Sequence, residues 1–290
     1  MIADLGDGVR PAVLNWHMHR IFAGPILAAT VLLSIPAHAA DQVAALYQAR
    51  TIVTGQREPE RMVGFGVCLQ DVLIKVSGNP RLADDPHVGP MKMTASHFVT
   101  AFRYHDRKEG IPVHDEQGTR DRPYDLFCAF NRTGVDALLA SLHEKPWIAP
   151  RPKIAVFLGV QHGVLDYVLT RDNPHALDQR ASLQQEADRR GIAVAIPDTA
   201  QAEADHLTVR GLAAAGPVRP EIAAQAIGAD LALSGSLVWD DKILGWICQW
   251  RFAWHNRLYR WRLRGVSFDE AFRSGIGGVA LILSGHRPPT

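Results

Sequence analysis

Leu231-Ala232-Leu233-Ser234-Gly235-Ser236-Leu237-Val238-Trp239 alternates throughout its length. Leu231, Leu233, Gly235, Leu237 and Trp239 share one parity, and Ala232, Ser234, Ser236 and Val238 the other. Trp246, Cys248, Trp250, Phe252 and Trp254 repeat the pattern, and Tyr259, Trp261 and Leu263 repeat it again. A period of two marks strands with one buried face. Asp240-Asp241 and His255-Asn256-Arg257 supply turn chemistry between them. Three antiparallel strands with a shared aromatic face are therefore expected. Their cover follows at once: Ser267-Phe268-Asp269-Glu270 is an S-x-x-E capping box. Phe268, Ala271, Phe272, Ile276, Val279, Ala280 and Leu283 then recur at roughly helical spacing. The expectation is an amphipathic lid over five inward tryptophans.

Moving outward, Pro220 opens a helix over Glu221 to Ile227 that Gly228 caps, and Asp198 to Gly216 is loosely patterned. Ala193 to Ile196 reads as a short buried strand. Pro174 starts a helix that runs to Arg190 and stops at Gly191. Ile154 to Val160 is a continuous apolar run of the kind buried on both faces, and Gln161-His162-Gly163 turns it into a partner, Val164 to Thr170. This order implies a mixed sheet with helices on its faces, spanning 150–290. Pro146-Trp147-Ile148-Ala149-Pro150-Arg151-Pro152 holds three prolines and reads as a linker.

The segment before it, 40–149, reads as a smaller α+β unit. Ala45 to Val53 is expected as a strand. Pro59 begins a helix on which Met62, Phe65, Leu69, Val72, Leu73 and Val76 recur, ended by Gly78 and Pro80. A second helix is expected over Met91 to Phe102, a polar connector over Tyr104 to Pro123, a strand over Tyr124 to Phe130 and a helix over Val135 to Leu142. The fold class is thus α+β. It comprises two α/β sandwich-like domains, the second with a mixed sheet ending in an antiparallel meander under a C-terminal helix.

The chain has 290 residues, 47% apolar and 21% charged, enough for an ample core. A formal net charge of +1 argues against a nucleic-acid partner, which would call for a basic excess. At the N-terminus, Met18-His19-Arg20 precedes the apolar run Ile21 to Ile35 and the small-residue site Ala37-His38-Ala39. This is the pattern of a cleaved signal peptide within a 1–39 leader, in which Met18 is an expected alternative start; an uncleaved anchor helix is the competing reading. The mature chain would begin near Ala40, without a later membrane span, and would reside in the periplasm. In that oxidising compartment Cys68 and Cys128 could pair, but two separately buried thiols are the preferred reading. Cys248 lies among the tryptophans. No C-x-x-C is present.

Several segments resemble a bacterial envelope family, domain of unknown function 2066. They are Leu46-Tyr47-Gln48-Ala49, Val72-Leu73-Ile74-Lys75-Val76-Ser77-Gly78-Asn79, the run from His114 to Asp125, and Arg151-Pro152-Lys153-Ile154-Ala155-Val156-Phe157-Leu158. The resemblance covers nearly all of Asp41 to Gly285. It implies an exported bacterial protein, with no catalytic set to transfer. The second unit is also similar in element order to the N-terminal domain of the Tol translocation protein, a likeness of pattern that does not settle function.

Two residue sets could carry chemistry. His114, Asp115, Glu116, Asp121 and Asp125 gather oxygen and imidazole donors in a glycine-containing loop, but their spacing fits neither a calcium loop nor a zinc signature. Arg120 and Arg122 could neutralise the acids, so a salt-bridged connector is the preferred reading. Arg251, Arg260, Arg262 and Arg264 lie on the meander face opposite the tryptophans, where guanidinium forks could grip an anionic group. An ordinary solvated face is the simpler account of them. G-x-S-x-G, G-x-x-x-x-G-K-[ST] and H-E-x-x-H do not occur. The sequence therefore reads as a non-catalytic binding or assembly module of the cell envelope, needing no cofactor, with an envelope protein or anionic ligand as partner. The alternative is a metal-dependent hydrolase or metal-binding protein using His114, Asp115, Glu116 and Asp121.

Overall fold

The computed structural model describes residues 37–111, 121–214 and 220–290. The expected signal segment therefore lies outside the described residues. Ala37–Leu46 forms helix α1, which contains the expected cleavage position, and strand β1 is Gln48–Thr54. The sequence-level strand from Ala45 thus starts three residues late, because Ala45 and Leu46 complete the helix. Helix α2, Glu58–Ser77, begins with Pro59 in its first turn and Glu58 and Glu60 at its positive end. It stops where Gly78 turns left-handed at φ 74 and donates its N–H to Ile74 O at 2.9 Å.

The expected helix over Met91 to Phe102 is corrected. Helix α3 covers only Val88–Met93, a single tight turn follows at Ala95–Phe98, and Val99–Asp106 is strand β2. Tertiary pairing overrides helix propensity here: β2 adds to β3, Pro123–Phe130, which is the central strand of a three-stranded sheet ordered β1-β3-β2. Phe65, Phe102, Tyr104 and Tyr124 form an edge-to-face series along that sheet. Helix α4, Arg132–Ser141, is capped by the Asn131 side chain. Gly64 lets α2 sit close on the sheet, since a Cβ there would stand 2.6 Å from Leu126 and 2.7 Å from Val53. Cys68 and Cys128, joined in a disulfide with Cα atoms 6.4 Å apart, pin the helix to β3. The pair is bridged rather than held as two separate thiols.

The second sheet is built from β4, Ile154–His162; β5, Leu165–Val168; β6, Val194–Ala195; β7, Leu231–Asp240; β8, Gly245–Trp254; and β9, Arg257–Val266. Its main path is β5-β4-β7-β8-β9, with β6 beside β4. β4 runs parallel to β7 and β6, and the remaining pairs are antiparallel. Helix α5 is Leu177–Arg190, ended by Gly191 at φ 61. The segment expected to be irregular holds two short helices, α6, Thr199–Ala204, and α7, Val209–Ala214. Asp198 and Gln201 form a reciprocal capping box on α6, so that helix start was readable in the sequence. Helix α8 is Pro220–Ala226, and α9 is Phe268–Leu283 with the expected Ser267–Glu270 box.

The meander follows its pattern. Trp250 stands opposite Gly235 on β7 and Trp261 on β9, and His255-Asn256 makes a two-residue turn with both φ angles positive. Helix α9 closes over this face. A Cβ on Gly275 would stand 2.7 Å from Trp250, and one on Gly278 would stand 2.6 Å from Trp261. Trp246, Trp250 and Trp261 are buried, and Trp250 Nε1 donates to Ala271 O at 3.1 Å. Trp239 and Trp254 are only half-buried at the sheet ends, so three of the five rings are fully enclosed. The opposite face of β4 and β7 is covered through Phe157, Leu207, Leu212 and Ala224, packed from α7, α8 and the turn after α6.

The proline-rich stretch between the sheets is fastened down. Arg151 donates to Lys75 O at 2.6 Å, Trp147 O at 2.7 Å, Arg190 O at 2.9 Å and Gly191 O at 3.2 Å. Its guanidinium also stacks 4.0 Å over the Trp147 ring. Burial draws that guanidinium down to about 10. Arg189 adds a 2.8 Å bond from α5 to Asp71 on α2. Ala37–Thr290 is accordingly one compact unit holding two sheets.

Candidate functional site

The best-formed cleft lies along β1. Phe130 N–H donates to Tyr47 O, and Gly55 N–H to Arg122 O, each at 2.9 Å. In antiparallel pairing such bonds recur at every second residue. Residues 49, 51 and 53 therefore address β3, while Gln48, Arg50, Ile52 and Thr54 turn their N–H and C=O groups to the free side. Among the described residues no strand pairs with that side. Lys75 Nζ reaches across and donates to Gln48 O at 2.7 Å. Burial is the main cause that brings the Lys75 ammonium down to about 8.

Beyond this edge is a cleft of about 780 Å³. One wall is the flank of α2 with Val67, Asp71 and Lys75, and the other is α5 with Gln185, Asp188 and Arg189. The cleft continues over the uncovered face of the three-stranded sheet. There Arg103 lies 3.7 Å over the Phe127 ring, with Arg50 on the same ring at 5.9 Å. Arg107 and His105 each approach Asp125 at 3.8 Å. The lining sets five cations against three carboxylates. Asp71 is bonded to Arg189, and Arg50 and Arg103 have no carboxylate partner among the described residues. The cleft is therefore cationic, with a flat aromatic floor.

The residues singled out from sequence fare differently. His114, Asp115 and Glu116 lie outside the described residues. Asp121 is bonded to Arg57 at 2.5 Å, and Arg122 to Asp106 at 3.2 Å, so both serve ion pairs. Among the described residues no three His, Cys, Asp or Glu side chains converge as a metal cluster. Arg251 donates to Leu212 O and Ala213 O at the end of α7 and so acts as a helix cap. Arg264 stands 3.7 Å from Asp240. Arg260 and Arg262 are exposed and line a shallower depression of about 590 Å³. Cys248 is free and buried, and burial pushes its thiol up, so it stays protonated.

One arrangement invisible in the sequence joins Ser284, His286 and Glu144. Ser284 Oγ is 2.7 Å from His286 Nδ1, and His286 Nε2 is 2.7 Å from Glu144 Oε2. Ser284 caps α9, and its hydroxyl back-bonds to Ala280 O at 2.7 Å. The hydroxyl thus serves the end of α9 as well as the imidazole, which is the arrangement of a structural contact. Glu144 Oε1 also accepts from Asn79 Nδ2 at 2.6 Å. The set clamps the chain after α9 to the ends of α4 and α2.

Comparison with known families bears on the segment that carries the three-stranded sheet. The family model that matches is a domain of unknown function, DUF8605, over residues 40–148. This overturns the resemblance to domain of unknown function 2066. The segment Val72 to Asn79 that suggested it is accounted for by helix-ending chemistry: an apolar face, a left-handed Gly78, and Asn79 accepting from Arg81 N–H at 3.1 Å. No curated protein and no solved structure matches the chain.

The cleft escaped sequence reasoning because Arg50, Arg103 and Phe127 lie far apart in the chain and meet only through strand pairing. A signal was nonetheless present. Arg103, His105 and Arg107 share a parity, which would have marked a polar strand face had that segment been read as a strand.

Proposed function

We propose that this protein is an exported, non-catalytic binding module of the bacterial cell envelope, and that it holds an anionic partner in the cleft along β1. The observation that carries the reading is the pairing of two uncompensated guanidinium groups, Arg50 and Arg103, on one aromatic ring beside an open sheet edge. Guanidinium groups stacked on aromatic faces keep their donors free for carboxylate or phosphate. The leader pattern supports export, as does the Cys68–Cys128 bond, since disulfides persist in oxidising compartments. Among the described residues no helix is long and apolar enough to cross a membrane.

The test is a photo-crosslinking residue at Ile52 in cells, with the captured protein identified by mass spectrometry after fractionation. Arg103→Glu should reduce capture of that protein by about tenfold or more, the loss of one charge-assisted contact. Arg260→Glu with Arg262→Glu probes the meander face as a second anion contact. Capture unaffected by Arg103→Glu, or a protein recovered only from the cytosol, would overturn the reading.

A further inference from the structure

The unpaired groups of β1 define how such a partner is held. We infer that an extended, acidic segment of a partner protein adds to β1 as a fourth strand, an inference that rests on the reading of the cleft given above. Arg50 and Ile52 each direct an N–H and a C=O into the cleft, as the alternation fixed by the Tyr47–Phe130 and Gly55–Arg122 bonds requires. Exposed sheet edges are templates for pairing unless something blocks them. Lys75 occupies Gln48 O at one end of this edge, so an incoming strand is limited to Arg50 through Thr54. A strand needs about 4.8 Å of lateral spacing, and the cleft opens on that side.

Side-chain chemistry sets the sequence of the occupant. Residues of the added strand that point toward α2 would land on Val67 and near Val63, which is 70% exposed on the same helix flank. Small or β-branched apolar residues fit there. Residues that point the other way would lie beside Arg50, and opposite charges across strands are favourable; Arg103, over Phe127 on the next strand, adds positive charge to the same face. The expected occupant therefore alternates acidic with β-branched residues over about five positions. Charge separates this partner from a basic one, which the uncompensated arginines would repel.

The experiment uses the purified protein and a capped heptapeptide of alternating glutamate and valine. Two further versions of the probe are N-methylated, one at the glutamate nitrogens and one at the valine nitrogens. Only one set of nitrogens faces β1 in a strand pair, so one methylated peptide should bind about tenfold more weakly than the parent while the other binds like it. The parent should also slow hydrogen exchange at the Arg50 and Ile52 amides. Ile52→Pro removes an outward-facing N–H without touching the β3 ladder, as edge strands tolerate; it should keep the native spectrum and lose the probe. Strand addition fails if both methylated peptides bind as the parent does, or if the two amides stay unprotected. If that happens while in-cell capture still depends on Arg103, the cleft remains the site and only the pairing mode is wrong. If capture is also independent of Arg103, both readings fall.

Discussion

Gly275, Gly277 and Gly278 share one turn of α9, yet alanine should act differently at the first two. A Cβ on Gly275 would lie 2.7 Å from Cε2 and 2.8 Å from Cζ2 of Trp250, whereas one on Gly277 meets nothing nearer than Pro80 Cγ at 3.5 Å. Helix propensity favours alanine by about 1 kcal/mol at both positions. At 277 that preference acts alone, so Gly277→Ala should raise Tm by about 2–4 °C in a domain of this size. At 275 the indole has no retreat, because on its far side a Cβ at Gly235 would already stand 2.7 Å from Cε3. Overpacking a full core costs about 1–3 kcal/mol, and a ring trapped on both faces belongs at the upper end. The net loss is about 2 kcal/mol, a fall of roughly 4–8 °C. In a Trp250→Leu background the obstruction is gone, and Gly275→Ala should instead stabilise by about 1 kcal/mol. The assay is thermal and urea unfolding of the single and double variants by circular dichroism. Parallel shifts for Gly275→Ala and Gly277→Ala, or additive effects with Trp250→Leu, would refute the geometry.

Lys75 gives a prediction in pH. Its ammonium titrates at about 8 in the fold against 10.5 ordinarily, so between those values the unfolded chain binds more protons and stability rises with pH. Relative to Lys75→Met, the natural protein should gain on the order of 3 kcal/mol from pH 8 to 10.5 and nothing below pH 8, as followed by urea unfolding. A flat difference would show that the ammonium is not desolvated. Arg151→Ala should cost about 3 kcal/mol or more, because it strips four carbonyl groups of a charged donor. Arg151→Lys should recover little, since an ammonium lacks the planar fork that serves them together; full recovery in denaturant titrations would contradict that role.

The meander, its turns and α9 were legible because each is written locally: period-two parity, a two-residue turn and a capping box all fall within a few residues. The same holds for α2, with Pro59 at its start and Gly78 at its end. The stretch Val88 to Asp106 was not legible, because its strand exists only by pairing with β3, and no local signal outweighed its helical look. Arg151 appeared as a lone cation in a proline-rich connector. Its purpose depends on the carbonyl groups of α5 and α2, which lie about forty and about seventy-five residues away along the chain, respectively. The candidate site belongs to the same class. The arginines on the meander were visible as a pattern, but only the fold revealed that Arg251 is consumed by α7 and that a second cationic surface exists on the smaller sheet.

The parallel pairing of β4 with β7 has a kinetic corollary. Ile154 must wait for Leu231 to be synthesised before the β4–β7 ladder can form. At roughly 5–20 residues per second, that delay is on the order of several seconds. Throughout it the β7-facing edge of Ile154 to Val160, wholly interior once folded, stays unpaired. Such a chain invites chaperone holdases. A copy truncated before Leu231 would never leave that unpaired condition, so proteolysis or aggregation of C-terminal truncations should greatly exceed that of equally long deletions elsewhere.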